Sequence, residues 1–201
     1  MTEPIIVEVA SFPANAEEFE QLQSELAVSP EGGAVMLLLA LEALARDEIL
    51  GEMCLTRAVH NACLVKGPPN YVDYLNGSDL FPTVSSVQPT MRPGDLEIIY
   101  TQISGQPYLP HAFIRGVHPD SGYRLPEAPY HFELHTNIYS GDPDSGVCKL
   151  FAACAGAAGP RPVTVRRDDD KLWRASEWNS LIVSVAPPGL KTPLRSAAVV
   201  Y

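Results

Sequence analysis

Ser29-Pro30-Glu31-Gly32-Gly33-Ala34-Val35-Met36-Leu37-Leu38-Leu39-Ala40-Leu41-Glu42-Ala43-Leu44-Ala45 is the stretch whose reading decides the fold. It opens on three helix-start signals in a row: a hydroxyl cap, a proline at the first helical position and an acid in the first turn. From Val35 to Ala45 the helix is apolar on nearly every side, which places it at the centre of a domain. Its most apolar run, Ala34 to Leu41, stops at Glu42, far short of the ~20 residues needed to cross a bilayer. The stretch reads as a buried core helix.

Helical signals continue on both sides. Asn15 followed by Glu18 resembles a capping box, and Phe19, Leu22 and Leu26 repeat at helical spacing. Asp47-Glu48 marks a break and a new start, after which Ile49, Met53 and Cys63 are expected to line a third helix antiparallel to the second. Between Lys66 and Gly94 the pattern changes. Pro68, Pro69, Pro82, Pro89 and Pro93 punctuate a stretch holding Tyr71, Tyr74 and Phe81, which reads as an ordered loop with one helical turn. Asp95 is expected to cap a short helix through Ile98, Ile99 and Gln102, stopped by Gly105.

The second half reads as β-structure. Expected strands run from His111 to Val117, Tyr130 to Asn137, Val147 to Cys154, Pro162 to Arg167, Lys171 to Glu177 and Leu181 to Val185. Asp168-Asp169-Asp170 forms the turn between two of them. Helices first and strands afterwards indicate an α+β fold, with N-terminal helices packed on a mainly antiparallel C-terminal sheet. Residues 1–188 form a single domain on this reading, helical over 12–105 and β over 108–188. Residues 189–201 are an irregular C-terminal tail.

Composition limits function. The chain has 201 residues, 46% hydrophobic and 19% charged, against roughly 25% charged in ordinary soluble domains. Its 14 Lys and Arg against 24 Asp and Glu give a net charge of −10, which argues against nucleic-acid binding and against an anionic membrane surface. Met1 to Ala10 is apolar but carries Glu3 and Glu8 and no basic residue, so it does not read as a secretory leader. Four cysteines are present. Cys54 and Cys63 fall on one expected helix, about 13–14 Å apart, and Cys148 and Cys154 on one expected strand, about 20 Å apart. Neither local pair can reach the ~4.4–6.8 Å of a disulfide. No Cys-x-x-Cys occurs, so free thiols in a reducing, cytoplasmic compartment are the expectation.

Gln106-Pro107-Tyr108-Leu109-Pro110, Gly122-Tyr123-Arg124-Leu125-Pro126 and Pro160-Arg161-Pro162-Val163-Thr164 stand in order after Ser29-Pro30-Glu31-Gly32-Gly33. Trp173 and Trp178 follow them. In these segments the chain resembles a family of uncharacterised bacterial proteins known only as a domain of unknown function. The resemblance runs from about Phe12 to Pro188, with Pro-Tyr-Leu-Pro and Pro-Arg-Pro-Val-Thr as its most specific parts. Where that family usually has Ser-Gly-Gly-Ala-Asp, this chain has Ala155-Gly156-Ala157-Ala158-Gly159. The resemblance implies a bacterial, intracellular, accessory role and supplies no catalytic residue.

Several patterns resemble chemical sites. His131, Glu133 and His135 share one face of a strand, the weak candidate for a metal. The two histidines stand about 13 Å apart at Cα, so His111 or His118 would have to complete a set. The half-buried polar face of a strand is the competing reading. His60 and Cys63, one helical turn apart, could form a nucleophile pair, but their apolar neighbours favour core packing. Asp142, Asp144 and Gly146 hint at a calcium loop that lacks its terminal Glu, so they read as a turn. Arg161, Arg166, Arg167, Lys171 and Arg174 form a basic cluster that Asp168, Asp169 and Asp170 offset. Trp173 and Trp178 lie on opposite faces if the strand is unbroken, leaving one exposed; a bulge at Ala175-Ser176 would bury both.

No cofactor follows from these patterns. The sequence points to a non-enzymatic accessory protein working through another protein, with a second copy of this chain among the candidate partners. Tyr71, Tyr74, Phe81, Trp173 and Trp178 are the candidate contact residues. The alternative is a small-molecule-binding domain or small enzyme with a pocket between sheet and helices, as in the nuclear-transport-factor-like cone folds that the closing hairpin is similar to. A toxin-neutralising role is a third option consistent with the acidic charge.

Overall fold

The computed structural model describes residues 3–66 and 89–190. Helix α1 spans Ala16–Leu26, α2 Pro30–Arg46, α3 Glu48–Ala58 and α4 Pro93–Gly105. Strand β1 is Ile5–Val9, β2 Leu64–Lys66, β3 Pro89–Met91, β4 Tyr130–His135, β5 Val147–Ala152, β6 Arg161–Arg167 and β7 Trp173–Glu177. The fold is α+β. Five strands form one antiparallel sheet in the order β1-β4-β5-β6-β7, with β2 and β3 as a separate antiparallel pair.

The expected caps close the first three helices. The Asn15 side chain accepts from Glu18 N at 2.9 Å, and the Glu18 carboxylate reaches back to Ala14 N at 2.8 Å. Ser29 Oγ accepts from Gly32 N at 3.1 Å, and Asp47 Oδ1 from Leu50 N at 2.9 Å. Each bond satisfies an amide that the first turn leaves without an intrahelical partner. The fourth helix differs. Arg92 holds its cap position and Pro93 its first turn, so Asp95 lies inside the helix as a favourable N-terminal charge.

Helix α2 is the core. Every residue from Gly32 to Leu44 is buried, including Val35, Met36, Leu37, Leu39 and Leu41, none with measurable exposure. It packs against α1, α3 and α4 and against β1, β5, β6 and β7. Each buried Leu or Met contributes about 1.5–3 kcal/mol through apolar area removed from water. Helix α2 thus lies between the sheet and the other described helices.

Four expectations need correction. His111 to Val117 is not a strand: Pro110–Phe113 is a 3-10 turn, Ile114 makes a single bridge to Phe132, and Gly116 takes φ +87°. Leu181 to Val185 is not a strand either, and its carbonyls are held by a side chain described below. Cys63 lies in a 3-10 turn after α3, and Cys154 lies beyond the end of β5, so neither cysteine pair shares an element. Ile49 is exposed, and α3 buries Gly51, Cys54, Leu55 and Ala58 instead. Strand β1, in residues for which the sequence reading assigns no element, pairs with β4 in the register Val7 opposite Phe132.

Residues 67–88, with Tyr71, Tyr74 and Phe81, for which an ordered loop is the expectation, and residues 191–201 of the expected tail lie outside the described residues. No described helix is long and apolar enough to cross a membrane.

Candidate functional site

Phe132 and Leu134 of β4 enter the core, which turns His131, Glu133 and His135 to the opposite face. They do not converge. His131 Nε2 lies 3.1 Å from Glu8 Oε2 on the neighbouring strand, while His135 Nε2 lies 3.1 Å from Glu133 Oε1. Among the described residues, no group of three His, Cys, Asp or Glu side chains is placed to hold a metal ion.

His60 and Cys63 are also separated by their bonds. His60 Nδ1 accepts from Ala62 N at 3.1 Å, and His60 Nε2 lies 3.1 Å from Asp168 Oδ1, so both ring nitrogens are engaged away from the thiol. Cys63 Sγ instead points to Ser176 O at 3.6 Å. Burial pushes its thiol up from the ordinary range, the wrong direction for a nucleophile. The same cause pushes Cys154 to about 11 and Cys54 to about 12.

Three of the five members of the basic cluster have structural duties, while Arg166 and Lys171 are exposed. Arg174 makes two bonds to Asp170, at 2.8 and 2.6 Å, one to Asp168 at 3.1 Å and one from Nε to Arg57 O at 3.0 Å. Asp168, 7% exposed, thereby ties the β6–β7 turn to the end of α3 through Arg174 and His60. Arg167 lies over the Trp173 ring at 5.6 Å. Arg161, buried, donates to Ser180 O, Val183 O and Ser184 O at 2.8, 2.5 and 2.9 Å. One guanidinium thus does for residues 180–184 what a strand partner would do, which explains an apolar segment that pairs with no ladder.

Trp173 is 3% exposed and Trp178 6%. The β6–β7 register runs Val165 opposite Ala175 and Thr164 opposite Glu177, skipping Ser176. The bulge alternative therefore describes the molecule, and neither indole offers an exposed contact surface.

A cavity of about 260 Å3 is lined by residues 112–118, Glu133 and residues 153–155. Its charged groups are Glu133 and Arg115, paired loosely at 3.9 Å. Its volume is below the ~300–1,000 Å3 usual for ligand sites.

The surface that sequence reasoning missed is the β4–β5 connection. Asn137 N donates to Ser140 Oγ at 2.9 Å, Tyr139 N to Asn137 Oδ1 at 2.8 Å and Ser140 N to Asn137 O at 3.0 Å. Lys149 N then fastens Ser140 O to β5 at 2.8 Å. Ser140 is buried and polar, whereas the two apolar residues of this turn face water: Ile138 is 88% exposed and Tyr139 75%. Immediately after it, Asp142 Oδ1 accepts from Asp144 N at 2.9 Å and Ser145 Oγ donates to Asp142 O, making 142–146 the expected turn. A signal was present in the sequence, because an Ile-Tyr pair inside Asn137…Ser140-Gly141 turn chemistry has no strand face to bury it.

Three of the segments that carried the family resemblance, those holding Gln106 and Tyr108, Tyr123, and Arg161, meet at one place. Tyr108 stacks on Tyr123 with centroids 4.9 Å apart, the Tyr123 hydroxyl donates to Ala186 O at 2.7 Å, and Gly156 O accepts from Ala186 N at 2.9 Å. Gln106 grips the same stretch through Ser184 Oγ at 2.8 Å and Val185 N at 3.2 Å. Together with Arg161 they clasp residues 180–186 to the body of the fold. The model of the family described as a domain of unknown function, DUF6935, matches residues 11–189. The chain belongs to this family. The match takes in all four described helices, the sheet from β4 to β7 and the whole clasp, and leaves β1 outside. No curated protein and no solved structure matches the chain.

Proposed function

We propose that the protein is a non-enzymatic intracellular accessory protein that works by contacting another protein, with Ile138 and Tyr139 at the centre of the contact surface. The observation that carries this reading is the combination of high exposure and fixed backbone at that turn. Single exposed apolar residues are ordinary; an adjacent pair presented by a hydrogen-bonded turn is not. Tyrosine is among the residues most enriched where binding energy concentrates, and a preformed turn avoids the ordering cost a flexible loop would incur on binding. The side chains of His60, Arg161, Arg174 and Asp168 are engaged in holding the fold, which fits a protein whose chemistry is recognition.

The test compares the wild-type chain with Ile138→Ser/Tyr139→Ser in affinity capture from its native host, using Val183→Ser, another exposed apolar site, as control. The reading expects a protein held by the wild type and the control and lost by the double variant. A wild-type chain that captures nothing and stays monomeric in light scattering would overturn it.

A further inference from the structure

Residues 136–147 read Thr-Asn-Ile-Tyr-Ser-Gly-Asp-Pro-Asp-Ser-Gly-Val, a connection with two carboxylates and no basic residue. Asp142 and Asp144 are both exposed, and each is fixed by the 3-10 turn that Asp142 caps. Cations stand at the base of the connection: Lys149, whose amide holds Ser140 O, Arg166, which pairs with Val147, and Arg167. Arg167 is turned onto Trp173. The outer end is therefore an apolar pair with an acidic flank. From this we infer, resting on the protein-contact reading above, that the tip docks into an apolar pocket on a partner protein whose rim carries Lys or Arg.

Complementary potentials accelerate encounter and fix register, and like charges across an interface cost several kcal/mol. A second copy of this chain is disfavoured as occupant on that ground, because each copy brings a net charge of −10. An apolar pair alone would not choose between partners; the acidic flank makes the choice.

The experiment places a photo-crosslinking benzoylphenylalanine at position 139 of the full chain, expressed in the native host. The crosslinked protein is identified and its attachment site mapped, and binding of that purified protein is then measured against two variants. Asp142→Asn/Asp144→Asn removes the charge but keeps a capping side chain at 142, so the turn survives. Ile138→Ser/Tyr139→Ser removes the apolar pair. The expected result is attachment beside an apolar pocket bordered by basic residues. Affinity should fall at least about tenfold in the apolar variant and several-fold in the Asn variant. The Asn variant should also show a shallower dependence on salt between about 50 and 500 mM.

Attachment to a second copy, or to a pocket with an acidic or neutral rim, overturns the inference. So does binding that ignores both the Asn variant and salt while still requiring Ile138 and Tyr139, although that outcome leaves the protein-contact reading standing. Absence of any crosslinked protein overturns both.

Discussion

Gly33 of α2 and Trp173 of β7 meet with no space between them for a methyl group. A Cβ at position 33 would lie 2.6 Å from the Trp173 carbonyl oxygen and 2.7 Å from its Cβ. Trp173 N is meanwhile fixed to Ala27 O at 2.7 Å, so the strand cannot step back freely. Gly33→Ala is therefore expected to destabilise by about 2 kcal/mol or more, overpacking outweighing the ~1 kcal/mol that alanine gains inside a helix. Gly94→Ala, where a Cβ would meet nothing within 4 Å, should be neutral or slightly stabilising. Urea midpoints followed by tryptophan fluorescence give both values; equal midpoints for the two variants would refute the close-approach account.

The difference between those two glycines lies in tertiary structure, and it marks the limit of what the sequence could convey. The caps at Asn15, Ser29 and Asp47 were legible because each involves residues three apart in the chain. Strand β1 was not, because its partner β4 lies more than a hundred residues away and only the alternation Ile5, Val7, Val9 hints at it. Leu181 to Val185 looked like a strand because it is apolar, but a buried Arg161 satisfies its carbonyls, and no local pattern encodes that. The candidate site fared worse. His131, Glu133 and His135 do share a face, yet the pairing of His131 with Glu8 depends on the unforeseen strand. Ile138 and Tyr139 fall just past the expected strand Tyr130 to Asn137, in a stretch to which the sequence reading assigns no role.

Arg174 is the centre of a second testable network. Replacing it by Met leaves Asp168 buried with only His60 and the Asn61 amide beside it, and removes one of the two donors to Arg57 O. The expected loss is about 2–4 kcal/mol, chiefly the cost of a buried carboxylate stripped of its cation. The pH dependence follows from Asp170, whose carboxyl the Arg174 hydrogen bonds hold below its ordinary value. A depressed folded pKa contributes stability that is present above about pH 4, the unfolded value, and lost as pH falls through the folded one. Asp170 is half exposed, so this acid limb is small. It should be present in the wild type and flattened in Arg174→Met; parallel curves for the two proteins below pH 4 would count against the assignment.

The four thiols give a chemical readout of packing. Cys54 and Cys148 are buried, Cys63 and Cys154 half-buried, and all four are free. Burial raises every one of their pKa values, Cys154 to about 11 from 9.0. That shift cuts its thiolate fraction at pH 8 by about a hundredfold, and the thiolate is the reacting species. Native protein at pH 8 should thus react with an aromatic disulfide reagent far more slowly than free cysteine, and four thiols should titrate at once in denaturant. One thiol reacting in the native state at the rate of free cysteine would place a reactive group where the structure puts a protected one.

The clasp over residues 180–186 predicts a local rather than a global weakness. Tyr123→Phe removes only the hydroxyl that donates to Ala186 O, leaving the stack on Tyr108 in place. Its cost should be about 1 kcal/mol, the ordinary net worth of one such bond. Gly156 sits at φ +73°, and a Cβ there would fall on the Tyr123 hydroxyl and lie 3.2 Å from Ala186 Cβ. Gly156→Ala combines a left-handed backbone with that collision, so it should cost more than Tyr123→Phe and release the segment. Both variants should be cleaved faster than wild type by a protease acting within residues 180–190, in the order Gly156→Ala, Tyr123→Phe, wild type. Neither substitution lies in a helix or strand, so the helical far-ultraviolet signal should be retained while the segment opens. Cleavage at equal rates in all three proteins would show that Arg161 and Gln106 alone hold the clasp shut.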